Sequence, residues 1–311
     1  MPAYMTAHLI AGAVDSILNQ TFQDFEIVVV NDGSPDTPEL ESVLAPYQDQ
    51  IVYIKQQNKR AAGARNTAIR SAKGEFLAFL DSDDSWLPDH LASQMKLFDE
   101  DPSLDLVYCD GLVIATGESK TFMDTCPSRG EATFEALAVE RCQIPISTVV
   151  VRKRALEKAG LFDESLARCD DYDMWFRAAF WGAKIAYTDH VQVRFSGGRP
   201  GALSLSSLKM VEAYWKILEK AIQTLPLNDA QKTLVRDRAD EIKALYLWEE
   251  GKAHLHEGKV REAIESFSKA NADRQTTKLS LLLLGLRLAP NTTRKLVEVA
   301  KGIRNGATSQ G

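Results

Sequence analysis

The run Phe76-Leu-Ala-Phe-Leu-Asp81-Ser-Asp83-Asp84-Ser-Trp-Leu-Pro88 constrains this chain more than any other. Its apolar half reads as a buried strand, and it stops abruptly in carboxylates. In open α/β sheets, ligands bind beyond the carboxyl ends of the strands. Carboxylates crowded at such an end repel one another, and burying them unpaired is costly. A hard divalent cation removes that penalty, and Mg²⁺ is usually held by one or two carboxylates together with substrate phosphates. The segment therefore points to a metal–diphosphate site. A solvated acidic turn leading into the next helix reads from the same residues, because Asp, Ser and Pro are also helix-start residues.

Around this run, apolar strands alternate with helical patterns. Strands are expected at 26–30, 51–54, 76–80 and 104–108, and helices at 7–19, 38–45, 61–72 and 88–98. Continuous apolar strands alternating with helices predict a parallel sheet covered by helices on both faces. The stretch from 111 to 200 is less regular, with a strand at 144–151, a helix at 171–181, a strand at 184–187 and a loop at 197–201. From 204 onward the pattern is helical only, so the expected domains are 1–203 and 204–311. Within the second, Trp248, Gly251, Leu255, Gly258, Ala263, Phe267 and Ala270 stand at the spacing of a tetratricopeptide unit. A generic helical hairpin reads from the same spacing. Either needs a neighbour, on the first domain or on a partner.

Composition narrows the function classes. A net charge of −6 argues against nucleic acid as a partner, since phosphate backbones require a basic face. A nucleotide sugar needs only a local positive site. Cys109, Cys126, Cys142 and Cys169 are scattered, so free thiols in a reducing cytosol are expected rather than disulfides or zinc. The apolar stretch 279–289 is broken by Ser280, Gly285 and Arg287 and is too short to cross a bilayer.

Several blocks then fall in order: Val-Val-Asn31-Asp32-Gly33-Ser34, Asn58-Lys-Arg60 through Arg65-Asn66, the Asp81-Ser-Asp83-Asp84 run, Gly160-Leu-Phe-Asp163-Glu, and Cys169-Asp170-Asp171-Tyr-Asp173-Met-Trp175. Together they resemble family 2 glycosyltransferases over roughly residues 1–200. The resemblance implies an α/β fold, the GT-A nucleotide-sugar-binding, mostly parallel sheet with flanking helices, followed here by an all-α region. It implies that Asp32 binds the nucleotide base, with Gly33 allowing the tight turn. A strand-end Asx turn is the alternative reading of Asp32. Arg60 or Arg65 would approach the base or the diphosphate, or else carry helix-surface charge. Asp81 would lie on the ribose side, Asp83 would hold Mg²⁺ or Mn²⁺, and Asp84 would support them or cap the next helix. Trp86 is expected to pack. Asp171 matches the catalytic base, with Asp170 as the helix cap and Trp175 and Phe176 in the core. Arg194 and Arg199 fall where the family has a loop that closes on the diphosphate.

Two departures stand out. Pro2-Ala3-Tyr4-Met5 takes the place of the family's Pro-x-Tyr-Asn motif, so Pro2 and Tyr4 are expected at the donor site while Met5 replaces its asparagine. The apolar strand that should lead into this motif is missing, and the true start is expected upstream. In addition, Arg60 occupies a glycine position of the family pattern.

The implied activity is an inverting, metal-dependent transfer of a sugar from a nucleoside-diphosphate donor, with a UDP-sugar expected, to a hydroxyl of a glycan or lipid-linked saccharide. Cell-envelope polysaccharide or glycoprotein assembly is the expected setting, in the cytoplasm or peripherally at the inner face of the membrane. The helical tail is available to bind acceptor, to dimerise or to dock on a membrane complex. Its basic residues Arg287, Arg294, Lys295, Lys301 and Arg304 read as a solvated face. The rival is a noncatalytic nucleotide-sugar-binding or scaffold protein, against which stand Asp81, Asp83 and Asp171. A nucleotidyltransferase would show a glycine-rich phosphate loop, and none is visible. The sugar and acceptor depend on loops at 110–145 and 190–205, which carry no readable code.

Overall fold

The computed structural model describes residues 1–115, 118–126, 128, 131–196, 207–274 and 276–293. The chain divides into two compact units, Met1–Leu205 and Ser206–Gly311.

The first unit runs β1 (Pro2–Ala3), α1 (Ile10–Leu18), β2 (Ile27–Asp32), α2 (Thr37–Leu44), β3 (Ile51–Gln56), α3 (Arg60–Ser71), β4 (Phe76–Ala78), β5 (Ser85–Trp86), α4 (His90–Glu100), β6 (Leu106–Ala115), β7 (Glu118–Thr121), α5 (Phe122–Thr125), α6 (Phe134–Ala138), β8 (Val149–Arg152), α7 (Lys153–Ala159), α8 (Asp170–Phe180) and β9 (Ile185–Phe195). One sheet, β1-β2-β3, is parallel throughout. All of β2 is buried, because both of its faces are covered. Ile27 and Val29 belong to the main core with Ile10 and Val14 of α1, while Val28 and Val30 pack on Ala64 of α3. This is the two-sided covering that an unbroken apolar strand requires.

The second sheet has the order β4-β8-β6-β9-β5, with β7 on β6. It is mixed: β6 and β9 are parallel, whereas β8 runs antiparallel to both β4 and β6. The strand expected at 144–151 is a 3₁₀ turn over Ile146–Thr148 followed by β8. That turn brings the Ser147 hydroxyl against the end of β4, where it accepts from the Asp81 N–H at 3.2 Å.

Pro2–Ala3, the start of the motif expected to follow the missing strand, forms β1, with Pro2 opposite Val30 and Ala3 opposite Asn31. The Met1 amine is buried and donates to the Val28 carbonyl at 2.9 Å. Burial pushes its pKa down to about 5. A cavity of about 760 Å³ is lined by Met1, by Ile27 and Val28 of β2, and by Phe76 and Leu77 of β4.

α3 and the segment before α8 are joined by an amide clasp. Asn66 donates to the Phe162 carbonyl at 2.9 Å and accepts from the Phe162 N–H at 3.0 Å. Behind it, Phe79, Phe162 and Trp175 meet ring to ring at 5.6–6.2 Å, fixing α8 to the end of β4.

The second unit is helical among its described residues: α9 (Ser207–Thr224), α10 (Asp229–His256), α11 (Val260–Arg274) and α12 (Thr277–Leu288). α10 begins with a reciprocal cap between Asn228 and Gln231. Gly251 of α10 lets Phe267 of α11 approach, since a Cβ there would sit 2.5 Å from the ring. No described helix is long and apolar enough to cross a membrane.

The Asn66→Ala variant is expected to lower the unfolding free energy by about 2 kcal/mol or more, because it strands a buried N–H and C=O at Phe162. Urea unfolding of the full chain checks this, and an unchanged midpoint contradicts the clasp.

Candidate active site

The first group of expected site residues lies at the end of β2. Asp32 is buried, and its Oδ1 accepts from Gln56 Nε2 at 2.6 Å and from the Lys59 N–H at 2.8 Å. A carboxylate has lone pairs on both oxygens, so acceptor capacity remains. Gly33 has φ +65°, and a Cβ there would lie 2.7 Å from the Asn58 nitrogen, so glycine is required at this turn. After β1, Tyr4 is exposed, and the Met5 N–H donates to Ser34 Oγ at 2.6 Å. Pro2 is half-buried within β1.

Three non-glycine residues around this region have left-handed φ: Met5 at 54°, Arg60 at 64° and Cys169 at 55°. Such conformations cost on the order of 1–3 kcal/mol and persist only where the surroundings enforce them. Arg60 opens α3 with an exposed side chain. Arg60 thus holds a left-handed conformation that glycine adopts freely, and it adds a long cation to the turn.

At the end of β4 the chain turns, with the Asp84 N–H donating to the Asp81 carbonyl at 3.0 Å. Asp81, Asp83 and Asp84 each bring a carboxylate oxygen within 4.8 Å of the others. Asp84 accepts from the Ser147 hydroxyl at 2.6 Å and from the Ser196 N–H at 3.1 Å. Burial and then the neighbouring Asp81 charge push its pKa up to about 7. A set of hard carboxylate oxygens this close together suits a hard divalent cation. Trp86 is buried, donates from Nε1 to the Ser147 carbonyl at 2.8 Å and stacks on His90, so it packs as expected.

The acids of α8 face this turn through Arg65. Arg65 is buried; Nη1 donates to Asp170 Oδ2 at 2.6 Å and Nη2 to Asp81 Oδ1 at 2.7 Å. Asp170, expected to cap α8, does not do so. The cap position is Cys169, which makes no side-chain cap bond, and the Asp170 carboxylate is spent on Arg65. Both terminal nitrogens of Arg65 are engaged by carboxylates, each through one of its two N–H groups. Asp171 is half-buried and accepts from the Tyr172 N–H at 2.9 Å. Burial and the adjacent Asp170 charge raise its pKa to about 6, with the Arg65 guanidinium opposing. Its helix is held rigidly by buried Trp175 and Phe176, the former donating from Nε1 to the Ile144 carbonyl at 3.1 Å. Acidic residues in the first turn also match the positive end of the helix dipole.

Asp81, Asp83, Asp84, Arg65, Asp170 and Asp171 thus converge, while Asp32 at the end of β2 is bonded to Lys59, beside Arg60 at the start of α3. Arg194 is exposed on β9, and Arg199 lies outside the described residues, as do Arg294, Lys295, Lys301 and Arg304. Sequence reasoning missed Ser147 and Asn66 as supports; neither stands in a pattern that signals a long-range partner.

The family model described as Glycosyl transferase family 2 matches residues 1–143. An uncharacterized glycosyltransferase of Rickettsia typhi is 31% identical over 222 residues, 69% of this chain and 69% of that protein. The Escherichia coli UDP-Glc:alpha-D-GlcNAc-diphosphoundecaprenol beta-1,3-glucosyltransferase WfaP is 30% identical over 217 residues, 68% of this chain and 79% of that protein. Among solved structures, S. aureus TarS 1-349 in complex with UDP-GlcNAc superposes with a TM-score of 0.63 at 20% identity, covering 98% of this chain and 90% of that one. A longer TarS chain is matched over 53% of its length. At that identity the likeness speaks for the fold.

A cation at the acidic turn competes with protons, so its effect on stability depends on pH. A carboxylate with a raised folded pKa favours the native state at low pH and opposes it once ionised. Mn²⁺ is therefore expected to raise the Tm more at pH 8 than at pH 5, read by thermal unfolding with and without the ion. An equal shift at both pH values speaks against the trio as the binding site.

Proposed function

Since the chain belongs to glycosyltransferase family 2, we propose that it moves one sugar, with inversion, from a UDP-sugar to a hydroxyl of a glycan or lipid-linked saccharide. The observation that carries this reading is the meeting of the β4 acidic turn with the first turn of α8 across Arg65. One side suits a nucleoside diphosphate, and the other presents a carboxylate of raised basicity.

In this reading Asp32, Pro2 and Tyr4 hold the base, Asp81 holds the ribose side, and Arg60 reaches toward the diphosphate from its exposed turn. Asp83, with its acidic neighbours, would hold Mg²⁺ or Mn²⁺, which when bound neutralises charge on the departing diphosphate. Asp171 accepts the proton of the acceptor hydroxyl as that oxygen bonds to the anomeric carbon. The bond from that carbon to the diphosphate oxygen breaks at the same time, and its electron pair leaves with the nucleoside diphosphate. A pKa of about 6 suits this role, because the carboxylate is ionised at neutral pH yet more basic than an ordinary aspartate. The named acceptor of the E. coli relative, a diphosphoundecaprenol-linked GlcNAc, favours a lipid-linked acceptor here.

The test is Mn²⁺-dependent turnover of UDP-glucose, UDP-GlcNAc and GDP-mannose, beside Asp171→Asn. The variant is expected to keep its UDP-dependent thermal shift and to lose about 10²–10⁴-fold in turnover. Wild-type turnover should rise with pH through about 6 and then level, as Asp171 loses its proton. Full turnover by Asp171→Asn would remove it as the base, and absence of metal-linked nucleotide binding would favour a scaffold.

A further inference from the structure

Arg65 is one of the few cations that this chain buries, and it is shared between two elements. Its side chain is 6% exposed, and its two terminal nitrogens go to two different carboxylates, Asp81 beyond β4 and Asp170 at the start of α8. A guanidinium that recognises a phosphate presents two parallel N–H groups to one anion. Here the fork is split between two anions belonging to separate parts of the chain.

The surroundings hold this fork in place from below. The Phe162 ring lies 5.7 Å from the guanidinium carbon and packs against Phe79 and Trp175. Phe79 leads into Asp81, and Trp175 belongs to α8. The same two elements are therefore joined twice, by aromatic packing in the core and by one cation above it. The neighbouring Asn66 clasps the Phe162 backbone, so α3 cannot slide relative to either.

We propose that Arg65 is a positioning residue: it sets the distance between the donor-side carboxylate Asp81 and the helix that carries Asp171, without contacting the donor. This rests on the reading of Asp171 as the base. Without the guanidinium, Asp170 becomes an uncompensated carboxylate beside Asp171, and the first turn of α8 moves away from the acidic turn. The base end of the nucleotide site, at Asp32 and Gly33, does not depend on this pair, and Asp81 keeps its place beyond β4 while losing one partner. Loss of Arg65 therefore acts on turnover rather than on donor affinity.

The experiment compares Arg65→Lys, Arg65→Met and the double variant Arg65→Met/Asp170→Asn, reading kcat and KM for the UDP-sugar that turns over and the thermal shift caused by UDP with Mn²⁺. Lysine keeps the buried charge but can reach only one carboxylate. Arg65→Lys is expected to lose about 10–100-fold in kcat, as a small misplacement does, with donor KM within about threefold and the UDP shift retained. Arg65→Met falls further, and adding Asp170→Asn restores about tenfold, because it removes the stranded charge. Should Arg65→Met fail to fold, Arg65→Lys decides. Wild-type kcat in Arg65→Lys overturns the proposal. So does a raised KM with a lost UDP shift at unchanged kcat, which would make Arg65 a donor ligand. So does a double variant no faster than Arg65→Met. An inactive Asp171→Asn beside a fully active Arg65→Lys sinks this proposal alone, whereas an active Asp171→Asn, or a wild-type chain that turns over no nucleotide sugar, sinks both.

Discussion

A buried guanidinium stands between the carboxylates that end β4 and those that begin α8. Asp81, Asp83, Asp84, Asp170 and Asp171 are drawn toward one region, and like charges there oppose the fold. At an effective dielectric near 20, a unit-charge pair about 4 Å apart is worth about 4 kcal/mol. Arg65 turns two of those repulsions into attractions, at 2.6 and 2.7 Å. The carboxylates of Asp170 and Asp81 outweigh the burial that works against its charge and hold its pKa above the usual arginine range. Asp84 and Asp171 keep raised pKa values, through burial first and then the neighbouring carboxylate charge that the cation leaves uncompensated.

Much of the first unit was legible because its signals are local. The apolar runs at 26–30 and 51–54 became β2 and β3, and the helices expected at 7–19, 38–45, 61–72 and 88–98 fell close to α1, α2, α3 and α4. The family resemblance and the acidic turn pointed to the same place. What stayed hidden depends on contacts across the chain. The pairing of Arg65 with Asp170 spans 105 residues, and no spacing announces it. Asp170 therefore read as a helix cap, since an aspartate at a helix start satisfies that rule by itself. The antiparallel strand β8 escaped similarly: its apolar residues fit either direction, and only pairing with β4 and β6 decides.

The helical unit illustrates the opposite case. Small and aromatic residues at fixed spacing encoded a close helix approach, and Gly251 against Phe267 is that approach. Gly258, with φ +78°, turns the chain between α10 and α11, where a left-handed residue ends a helix cheaply. Leu281, Leu284 and Leu288 remain exposed on α12 while Leu279, Leu283 and Leu286 are buried, so this helix is apolar around most of its circumference. No pattern in the sequence separates these two sets, because leucine stands on both faces.

The 105-residue span between Arg65 and Asp170 also has a meaning in time. On the ribosome, at about 5–20 residues per second, α3 and the acidic turn wait roughly 5–20 s for α8 to be synthesised. During that interval the guanidinium can reach Asp81 alone, and Phe162 is not yet there to receive the Asn66 amide. The nascent chain therefore holds this charge-crowded region half compensated until translation has passed residue 170.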